Sequence, residues 1–533
     1  MAMVGRPPCD DAFILHGGDA TRCSQSARRW VLVAAIVGSS MAFVDGTVVN
    51  VALPAIQRDL NTTASQAQWV VEAYALFLAA LLLVGGSLGD HYGRRRIFAL
   101  GVALFAIAST GCALSRDIQE LIVARAVQGV GAALLVPGSL ALISAAFPHE
   151  ERGRAIGTWS GWTGITAAIG PVFGGFLIDH YSWTWAFLIN VPLALAVLAI
   201  VWWRVPESRG TSARARLDLW GALFATAALA GVTYAFIEAP VHGWNAPAVQ
   251  GAMAGGICAG VLFIVIERRA HSPMLPLEFF RNRNFTGANL LTLLLYAALG
   301  GSLYFFPLNL IQVQGYRATA AGAALLPLIF IMFAGSRWAG TLVDRFGAKK
   351  PLVVGPLIAA CGFALFALPG IAEGSAAYWH AFFPAVTVLG IGMTITVAPL
   401  TTTVMNSLGV DEAGVASGVN NAVSRVAALL AIAVLGIVLA WKFGGVLSQQ
   451  MHEASVAPAV AAQMTAQSAR LGGAEIPQGI DAALASTLRR AVQAAFVAGF
   501  RWVMLVGAVL ALVSAVVAWV WIDGKIAPTR PPT

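Results

Sequence analysis

Apolar residues run through this chain in blocks of about twenty, the length needed to cross the hydrocarbon core of a bilayer as a helix. Fourteen such blocks are legible, at 30–53, 67–88, 97–114, 119–146, 154–178, 185–203, 218–239, 249–267, 286–312, 320–343, 351–371, 376–404, 413–441 and 499–522. Most are joined by short polar turns. The exception is 442–498, rich in Ala, Gln and Ser, which reads as a long outer loop containing a short amphipathic helix.

The polar turns set the direction of the spans. Arginine and lysine concentrate in every second turn: Arg94, Arg95 and Arg96; Arg152 and Arg154; Arg204, Arg209, Arg214 and Arg216; Arg268, Arg269, Arg281 and Arg283; Arg345, Lys349 and Lys350. The short turns between them carry only Arg58, Arg116 and Arg317. Basic residues mark the cytoplasmic side, so both termini are expected there and the number of spans is even. The turn around Asp411 and Glu412 lacks a basic residue and is the weakest of the series. Two of the basic turns repeat one pattern half a chain apart. Gly86-Ser87-Leu88-Gly89-Asp90-His91-Tyr92-Gly93-Arg94-Arg95-Arg96 and Gly340-Thr341-Leu342-Val343-Asp344-Arg345-Phe346-Gly347-Ala348-Lys349-Lys350 both read G-x-L-x-D-x-x-G-x-(R/K)-(R/K). The copies follow the second and tenth spans, so spans one to six match nine to fourteen, with seven and eight inserted between them. The predicted organisation is a cytoplasmic tail at 1–29, a six-helix bundle at 30–203, a linker with two extra spans at 204–285, a second six-helix bundle at 286–522 and a cytoplasmic tail at 523–533. The fold class is an all-α polytopic membrane protein with fourteen transmembrane helices arranged 6 + 2 + 6.

Composition agrees with lipid as the solvent. Of 533 residues, 58% are hydrophobic and 11% charged, against about 25% charged in soluble chains. The net charge of +8 lies in the turns, where it sets topology and gives no reason to expect nucleic acid. The five cysteines form no Cys-x-x-Cys and the histidines are scattered, so neither disulfides, a metal nor another cofactor is expected. Trp69, Trp183, Trp185 and Trp244 fall near outer span ends, as an interfacial belt does.

Further motifs lie inside the spans, in order: Val44-Asp45-Gly46-Thr47-Val48-Val49-Asn50-Val51-Ala52-Leu53-Pro54, Arg125-Ala126-Val127-Gln128-Gly129-Val130-Gly131, Gly170-Pro171-Val172-Phe173-Gly174-Gly175, and Trp183-Thr184-Trp185-Ala186-Phe187-Leu188-Ile189-Asn190-Val191-Pro192. With the repeated turn, they make the chain, from Ala42 to about Trp521, resemble the major facilitator superfamily, specifically its fourteen-span drug:proton antiporter branch of EmrB/QacA type. The resemblance implies the major facilitator fold, and the fifth-span motif implies antiport rather than uptake. Three departures stand out. Thr166 replaces a glycine of the longer fifth-span motif, Val426-Ala427-Ala428 replaces a Gly-Gly pair after Arg425, and no acidic residue falls between Thr286 and Val343 in the tenth-span region. The last departure argues against a preference for doubly charged cations.

Charges inside spans are costly and point to function. Asp45, Glu72 and Arg125 fall in one layer, roughly 8–12 Å below the outer surface at about 1.5 Å per residue. A pair between Asp45 and Arg125 makes both burials tolerable, and one that opens and closes gives a proton switch. The alternative is a permanent lock between two helices. Glu72 lies nearer the rim, within snorkelling reach. In the repeated turns, Gly86, Asp90, Gly93, Arg94 and Arg95, with Gly340, Asp344 and Gly347, are candidates for an inner gate rather than only a topogenic signal. Gly170 and Pro171 are expected to bend the fifth span, and Gly174 and Gly175 to offer a small-residue face that seals the outer side. Asn50, Tyr74, Gln128, Asn289, Tyr296, Tyr304, Asn309, Asn420 and Arg425 are candidates for an apolar cavity with hydrogen-bonding groups.

The leading functional reading is proton-coupled export of lipophilic small molecules, by alternating access, across the inner membrane of a bacterium. The alternatives are a dedicated exporter of one metabolite or antibiotic and, from a different class, a membrane-embedded enzyme. Neither a phosphate loop nor His-Glu-x-x-His occurs, so ATP-driven transport and zinc hydrolysis lack a motif. The expected partners are the substrate, protons and the bilayer; no residue pattern identifies a periplasmic adaptor.

Overall fold

The computed structural model describes residues 25–209, 218–270, 273–371, 374–408 and 412–524. Expectations placed on residues 1–24, on Arg214 and Arg216, on Asp411 and on 525–533 lie outside the described residues. Fourteen helices among the described residues are long and apolar enough to span a membrane. They are α1 (Ala27–Asp59), α2 (Ala64–Tyr92), α3 (Arg94–Leu114), α4 (Ile118–Ala146), α5 (Glu151–His180), α6 (Trp185–Arg204), α7 (Leu219–His242), α8 (Pro247–Arg269), α9 (Arg283–Val313), α10 (Ala318–Gly340), α11 (Lys349–Phe366), α12 (Phe383–Asn406), α13 (Val415–Glu453) and α14 (Ala482–Trp521). Each coincides with one of the fourteen apolar blocks.

The helix ends follow local chemistry. The Asp117 side chain accepts hydrogen bonds from the backbone N–H groups of Gln119 and Glu120, both at 2.8 Å, and starts α4. Asn282 caps α9 in the same way, through Asn284 and Phe285. The segment 442–498 differs most from expectation. Its first part, 442–453, continues α13 to Glu453, and its last part already belongs to α14, which begins at Ala482. Helix Pro458–Ala466 and a 3₁₀ stretch, Ser468–Gly473, lie between them. A hydropathy window trims the ends of such helices because Gln, Ser, Arg and His there are polar, yet they are helix-compatible.

The chain divides into two compact units. The first takes residues up to Leu60, Trp69–Val232 and Met253–Met274; the second takes Asn61–Gln68, Thr233–Ala252 and the rest. In the first, Phe98, Val102 and Phe105 of α3 pack with Ala132, Leu135 and Val136 of α4 and with Ala194 and Val197 of α6. The α3–α4 contact is close because it is made by glycines. A Cβ at Gly101 would lie 2.8 Å from the Leu135 nitrogen, and one at Gly131 2.7 Å from the Phe105 nitrogen. The second unit repeats the device between α11 and α12, where Cβ atoms at Gly362 and Gly392 would meet backbone nitrogens at 2.7 and 2.5 Å. Its core is aromatic: Phe306 lies 5.0 Å from Phe366 and 5.4 Å from Phe382, ring centre to ring centre. Among the described spans α8 is the least enclosed, followed by α7 and α10. The most apolar stretch of α4 is 72% buried within the protein, that of α8 only 17%, so most of the α8 surface is not covered by the rest of the chain.

Candidate functional site

The first unit holds a buried polar cluster built on α4. Arg125 and Gln128 are three residues apart and therefore share a helix face. The adjacent Gly129 brings that face against α2, since a Cβ there would lie 2.5 Å from the Tyr74 carbonyl oxygen. Arg125 is fully buried, and its Nη1 donates to Asp45 Oδ2 at 2.5 Å and to Gln128 Oε1 at 2.7 Å. Its Nε donates to the Val70 carbonyl at 2.9 Å. The guanidinium carbon lies 4.3 Å from the centre of the Tyr74 ring and 5.7 Å from that of Phe187, so aromatic faces enclose the cation.

Asp45 has no exposed surface and accepts from three side chains. Beyond Arg125, Gln128 Nε2 donates to Oδ1 at 2.8 Å and Asn190 Nδ2 at 3.4 Å. Gln128 and Asn190 also donate to Ser109 Oγ, at 3.2 and 3.0 Å, and Ser109 donates to the Phe187 carbonyl at 2.9 Å. Four spans thus converge on one carboxylate: α1 supplies it, α4 the cation, and α3 and α6 the polar frame. The Asp45–Arg125 ion pair is present, and Gln128 and Tyr74, read from the sequence as cavity candidates, touch it as well. The Tyr74 hydroxyl donates to the Ala42 carbonyl at 3.2 Å. Glu72 departs from expectation: it is fully buried rather than snorkelling at the rim. Ser109 and Asn190 were not singled out. Asn190 stands in the Trp183–Pro192 motif, a signal that was available, whereas Ser109 is one hydroxyl in an apolar run with nothing to mark it.

The fifth-span motif lies on α1. Cβ atoms at Gly170 and Gly174 would meet Thr47 Oγ1 at 2.7 Å and Val48 Cγ2 at 2.9 Å, and Gly175 is buried. Helix α5 runs unbroken through Pro171. A proline leaves the carbonyl four residues earlier without its helical donor. That carbonyl is Ala167 O, and Thr47 Oγ1 lies 3.4 Å from it, with its own-turn acceptor Val44 O at 3.0 Å. Thr166, the departure from the family pattern, donates to Ser40 Oγ at 3.0 Å and adds another α5–α1 link. At the other departure, Gly300 supplies the small residue: a Cβ there would lie 2.7 Å from Ala428 Cα. Trp183, expected in the interfacial belt, is instead buried and donates to Asp59 Oδ2 at 2.8 Å.

The repeated turns are held by the segments that follow each bundle's last helix. Gly93 has φ 111°, a conformation that L side chains rarely adopt, and a Cβ there would strike the Glu207 carboxylate at 2.8 Å. Glu207 Oε1 accepts from Arg95 N at 2.9 Å, an anion at the N-terminus of α3, and its Oε2 lies 3.6 Å from Arg96 Nε. Arg94 N donates to the Ser208 carbonyl at 2.9 Å, and Arg94 Nε to Asp90 Oδ1 at 2.8 Å. Glu207 went unnoticed in the sequence because it follows the sixth span far from the motif. In the second copy Gly347 has φ 72° and abuts the Gly524 carbonyl. The Asp344 side chain lies outside the described residues. The first glycine of each copy makes no close contact: a Cβ at Gly86 would meet Pro137 at an ordinary 3.7 Å, and one at Gly340 meets nothing within 4 Å.

Of the cavity candidates in the second unit, Asn420 on α13 donates to Asn289 Oδ1 at 3.1 Å and to Thr292 Oγ1 at 2.7 Å, both on α9. Tyr304 is buried on α9, and Asn309 opens a π-helical turn, Asn309–Val313, at its end. Tyr296 and Arg425 are half-buried on α9 and α13, and Asn50 half-buried on α1.

Residues 35–432 match the model of the Major Facilitator Superfamily. The chain is 34% identical over 500 residues to the tetracenomycin C resistance and export protein of Streptomyces glaucescens, covering 92% of this chain and 91% of that protein. It is 34% identical over 424 residues to the multidrug resistance protein Stp of Mycobacterium tuberculosis, covering 79% and 78%. Among solved structures it is similar to a bacterial homologue of the human lysosomal transporter Spinster in an inward-facing conformation, with a TM-score of 0.63, 18% identity, and 93% and 98% of the two chains covered.

Proposed function

The chain belongs to the Major Facilitator Superfamily, and from that premise we propose that it exports lipophilic small molecules in exchange for protons. Relatives named for resistance and export support the efflux part of this reading. The proton part is carried by one observation: a carboxylate with no exposed surface, Asp45, facing a fully buried Arg125. Burying two ions is offset only by good geometry and further hydrogen bonds, which Gln128, Asn190 and Val70 O supply. A conformational change that parts α1 from α4 leaves a carboxylate in apolar surroundings without its donors, and such a group takes up a proton. Re-forming the pair expels it. Glu72 is a further candidate in the same role.

The membrane is taken to be the inner membrane of a bacterium, in keeping with the bacterial relatives. The repeated turns serve as inner gates, with Asp90, Gly93 and Arg95 in one half and Asp344 and Gly347 in the other. The Gly170–Gly175 face on α1 serves as the outer seal. A dedicated exporter of one antibiotic is the second reading, favoured by the single named compound of the Streptomyces relative.

The test is efflux from cells of a sensitive strain challenged with a panel of uncharged and cationic toxic compounds, with and without a protonophore. Efflux should collapse with the protonophore and in Asp45→Asn when compared at matched membrane abundance. Protonophore-resistant efflux, or wild-type efflux by Asp45→Asn, overturns the proton-coupled reading. Protection against one compound alone favours the dedicated exporter.

A further inference from the structure

The second unit contains a cavity of about 270 Å³ that shares no residue with the Asp45 cluster. Its walls come from the start of α2 (Gln68), the end of α7 (Phe236), α9 (Tyr304) and α13 (Gly436, Phe443). The 3₁₀ stretch between α13 and α14 adds Leu471 to its wall. None of the residues lining it is charged. The volume lies just below the range of about 300–1,000 Å³ typical of small-molecule sites, and the lining mixes apolar side chains with the uncharged polar groups of Ser65, Gln68, Tyr304, Thr465 and Ser468.

One polar group stands out. Gln68 is 7% exposed, and its Nε2, shielded from solvent, donates to no protein acceptor among the described residues. Buried amide N–H groups are almost always paired, so an unpaired one in a cavity wall needs an explanation. The facing residue on α13 is Gly436, where a Cβ would lie 3.1 Å from Gln68 Oε1 and 3.5 Å from Nε2. The glycine leaves the amide its room, and the cavity its depth. Leu471 reaches the cavity from a backbone with φ 53°, a region that costs a bulky residue energy and persists only where its surroundings demand it.

We propose that this cavity is a second binding site, for an uncharged lipophilic molecule carrying a carbonyl or similar acceptor oxygen, which Gln68 Nε2 reads. The walls select the chemistry. An ion in the cavity finds no counter-charge, and its burial unpaired is prohibitive. A pure hydrocarbon leaves the amide unpaired, whereas an acceptor oxygen satisfies it. The proposal rests on the export reading in one respect: it takes the occupant to be an exported molecule, held under the segment that joins α13 to α14.

The test uses the full chain in nanodiscs of phosphatidylethanolamine and phosphatidylglycerol. Its five native cysteines are replaced, and a single cysteine is placed at exposed Thr465 on the cavity rim. Two dyes are compared as protectants against a maleimide: Nile red, uncharged with a ring carbonyl, and pyrene, which has no acceptor. Nile red should slow labelling of Thr465→Cys. In Gln68→Leu the concentration giving half-protection should rise about tenfold for Nile red, the size of one lost hydrogen bond, and stay unchanged for pyrene. Gly436→Leu should abolish protection by both dyes; its side chain fills the cavity and crowds the Gln68 amide, so it tests occupancy of the cavity, while Gln68→Leu alone tests the donor. Equal half-protection by Nile red with and without Gln68, or none at all, overturns the proposal. Labelling that is slow in nanodiscs, fast in lipid-free detergent and insensitive to either dye identifies a lipid chain as the occupant, and also overturns it. Dye protection without proton-driven efflux defeats only the export reading, and efflux without dye protection defeats only the second site.

Discussion

Replacing Arg125 with Met removes the cation while keeping much of the side-chain volume, and the structure says what is left behind. Asp45 Oδ2, Gln128 Oε1 and the Val70 carbonyl each lose their Arg125 donor in a region sealed from solvent. Breaking a buried ion pair by removing one partner costs about 3–5 kcal/mol, because the surviving charge is uncompensated. Asp45→Asn leaves the opposite orphan, a guanidinium held by Gln128, Val70 and the faces of Tyr74 and Phe187. It is expected to cost at the lower end of that range. The double variant Asp45→Asn/Arg125→Met has neither ion. It should be more stable than the sum of the singles by about 2 kcal/mol, within the usual span of coupling energies between touching residues. The assay is unfolding in mixed detergent micelles, followed by near-ultraviolet circular dichroism for all four proteins of the cycle. Single-variant losses that add to within about 0.5 kcal/mol show that the two groups do not sense one another, and the argument for a coupled switch then fails.

Three further outcomes are expected. Gly93→Ala combines a positive φ with a collision against the Glu207 carboxylate, so it should destabilise by about 1–2 kcal/mol or more and lower the melting temperature, while Glu207→Gln, which keeps an acceptor for Arg95 N, should cost less than 1 kcal/mol; equal losses would mean that the φ at Gly93 is unimportant. Asn190→Leu removes donors to Asp45 and Ser109 from the polar frame and should shift the pH profile of efflux with little change in apparent substrate affinity; an unshifted profile makes Asn190 a packing residue. Gly174→Leu must push α5 off Val48 of α1, and labelling of a single cysteine at Asn289 by an impermeant thiol reagent should rise; flat labelling with continued efflux leaves the motif as packing only.

The number and order of the spans were legible because lipid imposes a simple rule: about twenty apolar residues and a basic turn on one side. The Asp45–Arg125 pair was legible for the same reason, since charges in apolar runs are few and their depths can be counted. What the sequence hid was how far helices extend and what frames the charges. Helix α13 continues to Glu453 and α14 starts at Ala482 through residues that are polar yet helix-forming, so hydropathy alone cut both short. Ser109 and Gln68 are ordinary polar residues whose importance depends on what stands beside them, and that is a property of packing between distant segments. The carbonyl orphaned by Pro171 illustrates this: the proline predicts an unsatisfied Ala167 O, but only the fold brings Thr47 to it.

The internal repeat goes deeper than the eleven residues that reveal it. In each half the second glycine of the turn has a positive φ, Gly93 at 111° and Gly347 at 72°. In each half that glycine is covered by the chain just beyond the sixth helix of the same bundle: Glu207 after α6, and Gly524 after α14. The covering residues have no sequence in common, one acting through a carboxylate and the other through a backbone carbonyl. Both nevertheless bring a partial or full negative charge to a site that a Cβ would occupy, beside the N-terminus of the helix that follows the turn. In the first half Ser208 O also accepts from Arg94 N, so the contact fastens the start of α3 to the segment after α6. The glycine therefore serves docking as well as turning. A residue that only turned the chain would need no partner, yet both copies have one in the corresponding place. This shared covering contact is the observation on which the proposed gating role of the repeated turns rests.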